Sequence, residues 1–223
     1  MVSTLALITI GQAPRVDIWP DIAPLLDAHT VIEHGALDEL SAEEIARLAP
    51  NGNEERVVSR LRDGSSATMS EHALAPLVQS AIDRAVASGA QAVLIMCTGN
   101  VPSVTAPVPL YTAEKLARAG MAGLADARRL GVVVPEPEQR QVIQQRWAAA
   151  FGIDASIAAA NPYAGEAEAL AAAAQQLAAD GAEIVFLDCV GYTQAMADEV
   201  SRIAGVPVLT ARSLAVRLLA AVA

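Results

Sequence analysis

Cys97 and Cys189 are the only thiols in this 223-residue chain, and their surroundings match. In "LIMCTGN" (94–100) and "FLDCVGYT" (186–193) a short apolar run ends in cysteine and passes into a turn carrying glycine and threonine. A thiolate can take a proton from carbon, and a thiol can return one. Two of them on opposite faces of a carbon next to a carboxylate would invert that carbon without a cofactor. One competent thiol would support only proton return, addition or exchange. The plainer alternative for each cysteine is a small apolar core residue. Around them, Thr98 and Thr193 offer hydroxyls and Asn100 an amide to an anionic ligand. Gly99 and Gly191 supply the turns, and Tyr192, three residues after Cys189, has a hydroxyl that could reach the site.

The elements that would position these residues alternate short apolar runs with alanine-rich stretches of helical period, the pattern of βα units and a parallel sheet. Strands are expected over Thr4–Ile10, Thr30–Glu33, Ala92–Met96, Gly131–Val134, Ser156–Ala159 and Ile184–Leu187. Helices are expected over Ser41–Leu48, Ser70–Ser88, Thr112–Ala127, Pro137–Phe151, Gly165–Asp180, Thr193–Ile203 and Thr210–Val222. Ser41 and Glu44 have the spacing of a capping box, and Ser70 and Thr112 are N-cap candidates. Asp63-Gly64 between two alternating runs marks a β-hairpin near 56–69, read as projecting over a cleft. "SGAQAVLIMC" and "DGAEIVFLDC" align residue for residue, which indicates two related domains. The expected division is 1–111 plus 209–223 for the domain with Cys97 and the hairpin, and 112–208 for the domain with Cys189. Each cysteine then falls at the C-terminal end of a parallel strand, the edge where open α/β sheets bind ligands. A helix N-terminus following each one is expected to lower the thiol pKa.

Composition narrows the function classes. The chain is 53% hydrophobic with a formal net charge of −10, which argues against nucleic acid or an anionic membrane surface as partner. No apolar run reaches the length of a membrane span, and the N-terminal segment reads as a first strand rather than a signal peptide. Two cysteines do not make a disulfide framework, so a cytoplasmic, reducing setting is expected. Zinc has no support, since there is no CxxC and only His29, His34 and His72 are present. The first strand runs into "TIGQAPRVD" (9–17), which fits neither GxGxxG nor a Walker loop. A glycine followed by Arg15 just past a strand suits contact with an anion, and arginine binds carboxylates in bidentate fashion.

The paired cysteines on repeated α/β halves resemble the aspartate/glutamate racemase superfamily. More closely, "TIGQAPRVD", "EHGALDELS", "RLRDG", "CTGN", "LGVVVPEPEQ", "NPY" and "DCVGYT" are similar to the AroM family over nearly the whole chain. The resemblance implies two doubly wound α/β domains with an interdomain cleft and a cofactor-independent isomerase of racemase or epimerase type. Its substrate would be a small carboxylate and its assembly a homodimer. Cys97 and Cys189 would be the opposed acid and base. Gly11, Gln12 and Arg15 would correspond to the superfamily's substrate loop. Superfamily racemases carry "CNT" and "GCT" at the two cysteines, where this chain has "CTGN" and "CVGYT", so the carboxylate-holding roles would pass to Thr98, Asn100 and Thr193 at a changed offset. Two other activities fit the same residues: a lyase or cis–trans isomerase with one covalent cysteine, and a non-catalytic small-molecule sensor.

Overall fold

The computed structural model describes residues 3–52, 54, 56–99, 103–165 and 167–222. These divide into two units, Met1–Glu114 with Leu219–Ala223, and Lys115–Leu218.

The first unit is built on β1 (Thr4–Thr9), α1 (Trp19–Ile22), β2 (Thr30–Gly35), α2 (Ala42–Ala46), β3 (Arg56–Arg60), β4 (Ser66–Ser70), α3 (Glu71–Ala87), β5 (Ala92–Ile95) and β6 (Leu110–Thr112). Its sheet runs β2-β1-β5-β6, parallel throughout. Leu5 pairs with both Val31 and Ala92, and Leu94 with Tyr111. β1 and β5 are buried on both faces, which is why they read as unbroken apolar runs instead of alternating ones. One face, with Ala6, Ile8, Val93 and Ile95, packs on Leu74, Val78 and Ile82 of α3. Burying each of the leucine, isoleucine and valine side chains contributes about 1.5–3 kcal/mol.

The β3–β4 hairpin forms where Asp63-Gly64 predicts it, with Val57 opposite Met69 and Gly64 at φ 85°, a value glycine adopts without strain. The Ser41–Glu44 capping box forms at α2. Ser70 holds the N-cap position of α3, but its side chain makes no cap bond.

The second unit contains α4 (Ala113–Ala125, entered from the first unit), β7 (Leu130–Val134), α5 (Arg140–Phe151), β8 (Ser156–Ala159), α6 (Ala167–Ala179), β9 (Ile184–Leu187), α7 (Gln194–Ala204), β10 (Val208–Thr210) and α8 (Ala211–Ala220). A 3-10 turn over Pro137–Gln139 leads into α5. The strand order is β8-β7-β9-β10, again all parallel. It matches the first unit strand for strand: in each, the second strand flanks the first, and the third and fourth follow on the other side. The repetition expected from the two cysteine segments is therefore real in topology.

Two expectations change. β6 and β10 are additional strands of three residues each. The C-terminal helix, expected with the first domain, falls in the second unit up to Leu218. β10 pairs with β9, and Leu214 and Leu218 of α8 lie against Gly120 of α4, where a methyl would come within 2.9 Å of Leu218 Cδ1. Among the described residues no helix is long and apolar enough to cross a membrane.

Candidate active site

Cys97 lies two residues past β5. Met96 N–H still donates to Ile8 C=O at 2.8 Å, extending the β1–β5 pairing, and the chain then turns with Cys97 N–H donating to Ile95 C=O at 3.0 Å. Cys97 is 8% exposed and belongs to the cluster packed under α3. The next helix, α4, begins after β6, near its expected start, and its first turn approaches Cys97 through Glu114 N–H, which donates to Cys97 C=O at 3.2 Å. Thr98 beside it is buried. A methyl at Gly99 would sit 3.7 Å from Cys97 Sγ, an ordinary contact, so this glycine is not required for space. Asn100 lies outside the described residues.

The loop after β1 is clamped within its own unit. Gln12 N–H donates to Arg60 C=O, its Nε2 donates to Leu37 C=O at 3.3 Å, and its Oε1 accepts Arg62 N–H at 2.9 Å. Arg62 in turn donates from Nε and Nη2 to Ala13 C=O. The hairpin tip therefore packs on the Gly11–Pro14 loop. Gly11 is obligatory there, because a Cβ would run into the Arg60 carbonyl and lie 2.5 Å from Ser59 Oγ. Arg15 is buried and engaged: Nε and Nη2 donate to the two oxygens of Asp17 at 2.7 Å each, and Nη1 to Thr9 Oγ1 at 3.3 Å. Its bidentate partner is thus Asp17, and Arg15 is among the residues lining a small pocket with Leu7, Ile18, Glu33 and Met96. The side chains of Gln12 and Arg15, expected to hold an anion, are committed to folding this loop.

Cys189 occupies the equivalent place two residues past β9 and is half-buried. Its Sγ accepts Gly191 N–H at 3.3 Å and a hydrogen bond from the Tyr163 hydroxyl. The thiol pKa lies above the ordinary 9.0, not below it as expected. Desolvation is the largest cause and the Asp188 charge adds to it, while the Gly191 and Tyr163 bonds and the Arg212 charge only partly offset them.

The turn carrying Cys189 is braced from below. Arg118 donates from Nε at 2.9 Å, and approaches with Nη2 at 2.8 Å, to the buried Asp188 Oδ2. The buried Arg212 donates from Nε to Val190 C=O at 2.7 Å. Thr193 is the N-cap of α7, its Oγ1 accepting Met196 N–H at 3.1 Å. The first-turn amides of this 11-residue helix thus open toward the same turn.

Tyr192 is a correction. It is fully buried and donates to Ala160 C=O at 2.6 Å. Desolvation, with the charges of Cys189 and Asp188, lifts its pKa well above 10.0. The tyrosine that touches Cys189 is Tyr163, carried on the Asn161-Pro162-Tyr163 turn after β8. The "NPY" segment was visible in the sequence, but only as a family resemblance. Arg118, Asp188 and Arg212 also escaped sequence reading. Among the described residues no cluster of three or more metal-ligating side chains forms.

The profile of the AroM protein family matches residues 5–223. No curated protein matches the chain. Among solved structures, unliganded arylmalonate decarboxylase is similar at 16% identity and TM-score 0.61, over 99% of this chain and 92% of that one. Picrophilus torridus aspartate racemase is similar at 9% identity and TM-score 0.61, over 98% and 94%. A mutant Nocardia farcinica maleate cis–trans isomerase with a covalently bound succinylcysteine intermediate is similar at 14% identity and TM-score 0.61, over 98% and 91%. At these identities the likeness establishes a shared fold.

Proposed function

The chain belongs to the AroM family, and on that premise we propose that it is a cofactor-independent isomerase of racemase or epimerase type acting on a small, amino-acid-like carboxylate. The observation that carries the reading is the duplicated position of the thiols: each stands two residues past the third strand of a four-stranded sheet of the same order. A fold repeated with its thiol in the same place suits a reaction that needs one acid and one base of the same kind. One sulfur, as thiolate, takes the proton from the carbon beside the carboxylate and becomes a thiol. The other, as thiol, delivers its proton to the opposite face and becomes the thiolate. Desolvation of the Cys189 sulfur favours its protonated form, which suits it to the donor role in one direction of the reaction. The carboxylate is held by the hydroxyls of Thr98 and Thr193 and by the amides at the N-terminus of α7, whose positive end favours an anion. Gly99 and Gly191 shape the turns beside the sulfurs, and Asn100 supplies a further amide. Gly11, Gln12 and Arg15 contribute by fixing the loop after β1. The protein acts in the cytoplasm as a homodimer on a small-molecule carboxylate, with neither nucleic acid nor a membrane as partner.

The test is solvent deuterium incorporation at the α-carbon of aspartate and related small acids, with Cys97→Ser and Cys189→Ser as controls. Either substitution should lower formation of the deuterated, inverted product by about 10²–10⁴, the usual contribution of a positioned acid or base, while the remaining thiol still exchanges the proton on its own side. Deuterated, inverted product formed in both variants at the unaltered rate contradicts the reading.

A second reading, a lyase or cis–trans isomerase with one covalent cysteine, is favoured by the unequal burial of the two thiols and by the succinylcysteine in a relative of the same fold. Intact-mass analysis after incubation with maleate would show an adduct on one cysteine only. Ligand-induced thermal stabilisation with no turnover, undiminished in both serine variants, would instead identify a sensor.

A further inference from the structure

We propose that Tyr163 is a positioning residue for the Cys189 thiol, holding its sulfur through the phenolic O–H, and that the missing side chain at Gly191 is what admits the ring. The contact is built from three directions. Asn161 fixes the turn: its Oδ1 accepts Tyr163 N–H at 2.8 Å, and its Nδ2 donates to Glu136 Oε1 at 2.6 Å. Glu136 is itself tied back, since its backbone N–H donates to Gln139 Oε1 at 3.1 Å.

On the other side, a methyl at Gly191 would lie 2.5 Å from Tyr163 Cζ and 2.6 Å from its hydroxyl oxygen, so the end of the ring occupies the space a side chain would take. Gly191 N–H donates to Cys189 Sγ at 3.3 Å. The phenol that fills the Gly191 notch therefore meets the sulfur that the Gly191 amide also binds. Two donors then bracket one sulfur, which restricts its rotamer and favours the thiolate when it forms. Glycine at 191 and the Asn-Pro-Tyr turn, 28 residues apart in sequence, thus form one device.

This inference rests on reading Cys189 as a working thiol, but its test does not require turnover. Protein labelled with ¹³Cβ-cysteine in a Cys97→Ser background gives one cysteine resonance, whose shift follows deprotonation of Cys189 with no reagent access needed. If Cys97→Ser does not fold, the wild-type background serves, with Cys189→Ser identifying the resonance. Tyr163→Phe keeps the ring and removes only the donor. The midpoint should move to higher pH, and the thiolate population below it should fall about tenfold, as expected for losing a hydrogen bond to an ionised group. Gly191→Ala, which pushes the ring away, should shift it in the same direction. An unchanged midpoint in Tyr163→Phe overturns the proposal whatever the protein catalyses. A moved midpoint in a protein that exchanges no α-proton supports the positioning role and removes the racemase reading.

Discussion

Substituting Gly191 by alanine is a sharp test of how the Cys189 turn is packed. A methyl there would meet Tyr163 Cζ at 2.5 Å, the Tyr163 hydroxyl at 2.6 Å and Pro162 Cγ at 2.8 Å, all inside the 3.0 Å limit for real Cβ contacts. The backbone of the turn has little room to yield, because Val190 C=O is held by buried Arg212 at 2.7 Å and Tyr192 is pinned to Ala160 at 2.6 Å. The Asn161–Tyr163 turn must move instead. Overpacking of this kind costs about 1–3 kcal/mol; at ~2 kcal/mol, a chain of this size loses about 4–8 °C in Tm. The assay is thermal unfolding by circular dichroism on Gly191→Ala, Tyr163→Ala and the double variant. Removing the ring relieves two of the three clashes, so the double variant should be more stable than additivity predicts, by roughly 1–2 kcal/mol. A Gly191→Ala protein as stable as wild type, or strictly additive effects, would refute this packing.

Three further outcomes are expected. Asp188→Ala removes the carboxylate from buried Arg118 and should cost about 3–5 kcal/mol in urea unfolding, with much of it regained in Arg118→Met/Asp188→Leu. Stability should fall above pH 9, because Cys189 and Tyr192 have pKa values raised in the folded protein. A raised group retains its proton when folded but sheds it when unfolded, so its stabilisation is complete below the ordinary value and is lost as pH climbs through the folded one. Tyr192→Phe should therefore lower Tm at pH 7, through loss of the Ala160 bond worth about 1 kcal/mol, yet give a shallower decline above pH 10.0. Finally, Gly11→Ala forces the Arg60 carbonyl away, so amides of Gln12 and of the β3–β4 hairpin should exchange faster with solvent, while those of β9 should not.

Where the sequence was legible, one local cause dominated. Ile184–Leu187 is a buried four-residue run and reads as a strand with its bounds intact; Asp63-Gly64 announces the hairpin; Ser41 and Glu44 announce the cap of α2. β6 and β10 were missed because three residues after a proline carry no period of their own. Leu110–Thr112 and Val208–Thr210 are strands only because β5 and β9 offer them an edge. The two cysteines were found from their repeated surroundings, but their supports were not. Arg118 and Asp188 lie 70 residues apart, and nothing local to either signals a buried pair. Tyr192 drew attention by lying three residues from Cys189, yet its side chain points into the core while Tyr163 arrives from another strand's turn. The expected lowering of the Cys189 pKa was wrong for a related reason: helix ends and N–H donors can be inferred from sequence, but desolvation depends on everything packed around the sulfur.

The central claim is that both thiols exchange protons with one carbon, and it is tested most directly by following racemisation and deuterium uptake together, in D₂O, for the acid that shows the fastest exchange. With two thiols at work, wild-type protein should place deuterium in the inverted product while the remaining starting enantiomer stays protiated early on, and Cys97→Ser and Cys189→Ser should each lose inversion. Inversion persisting at the wild-type rate in either variant would contradict the account.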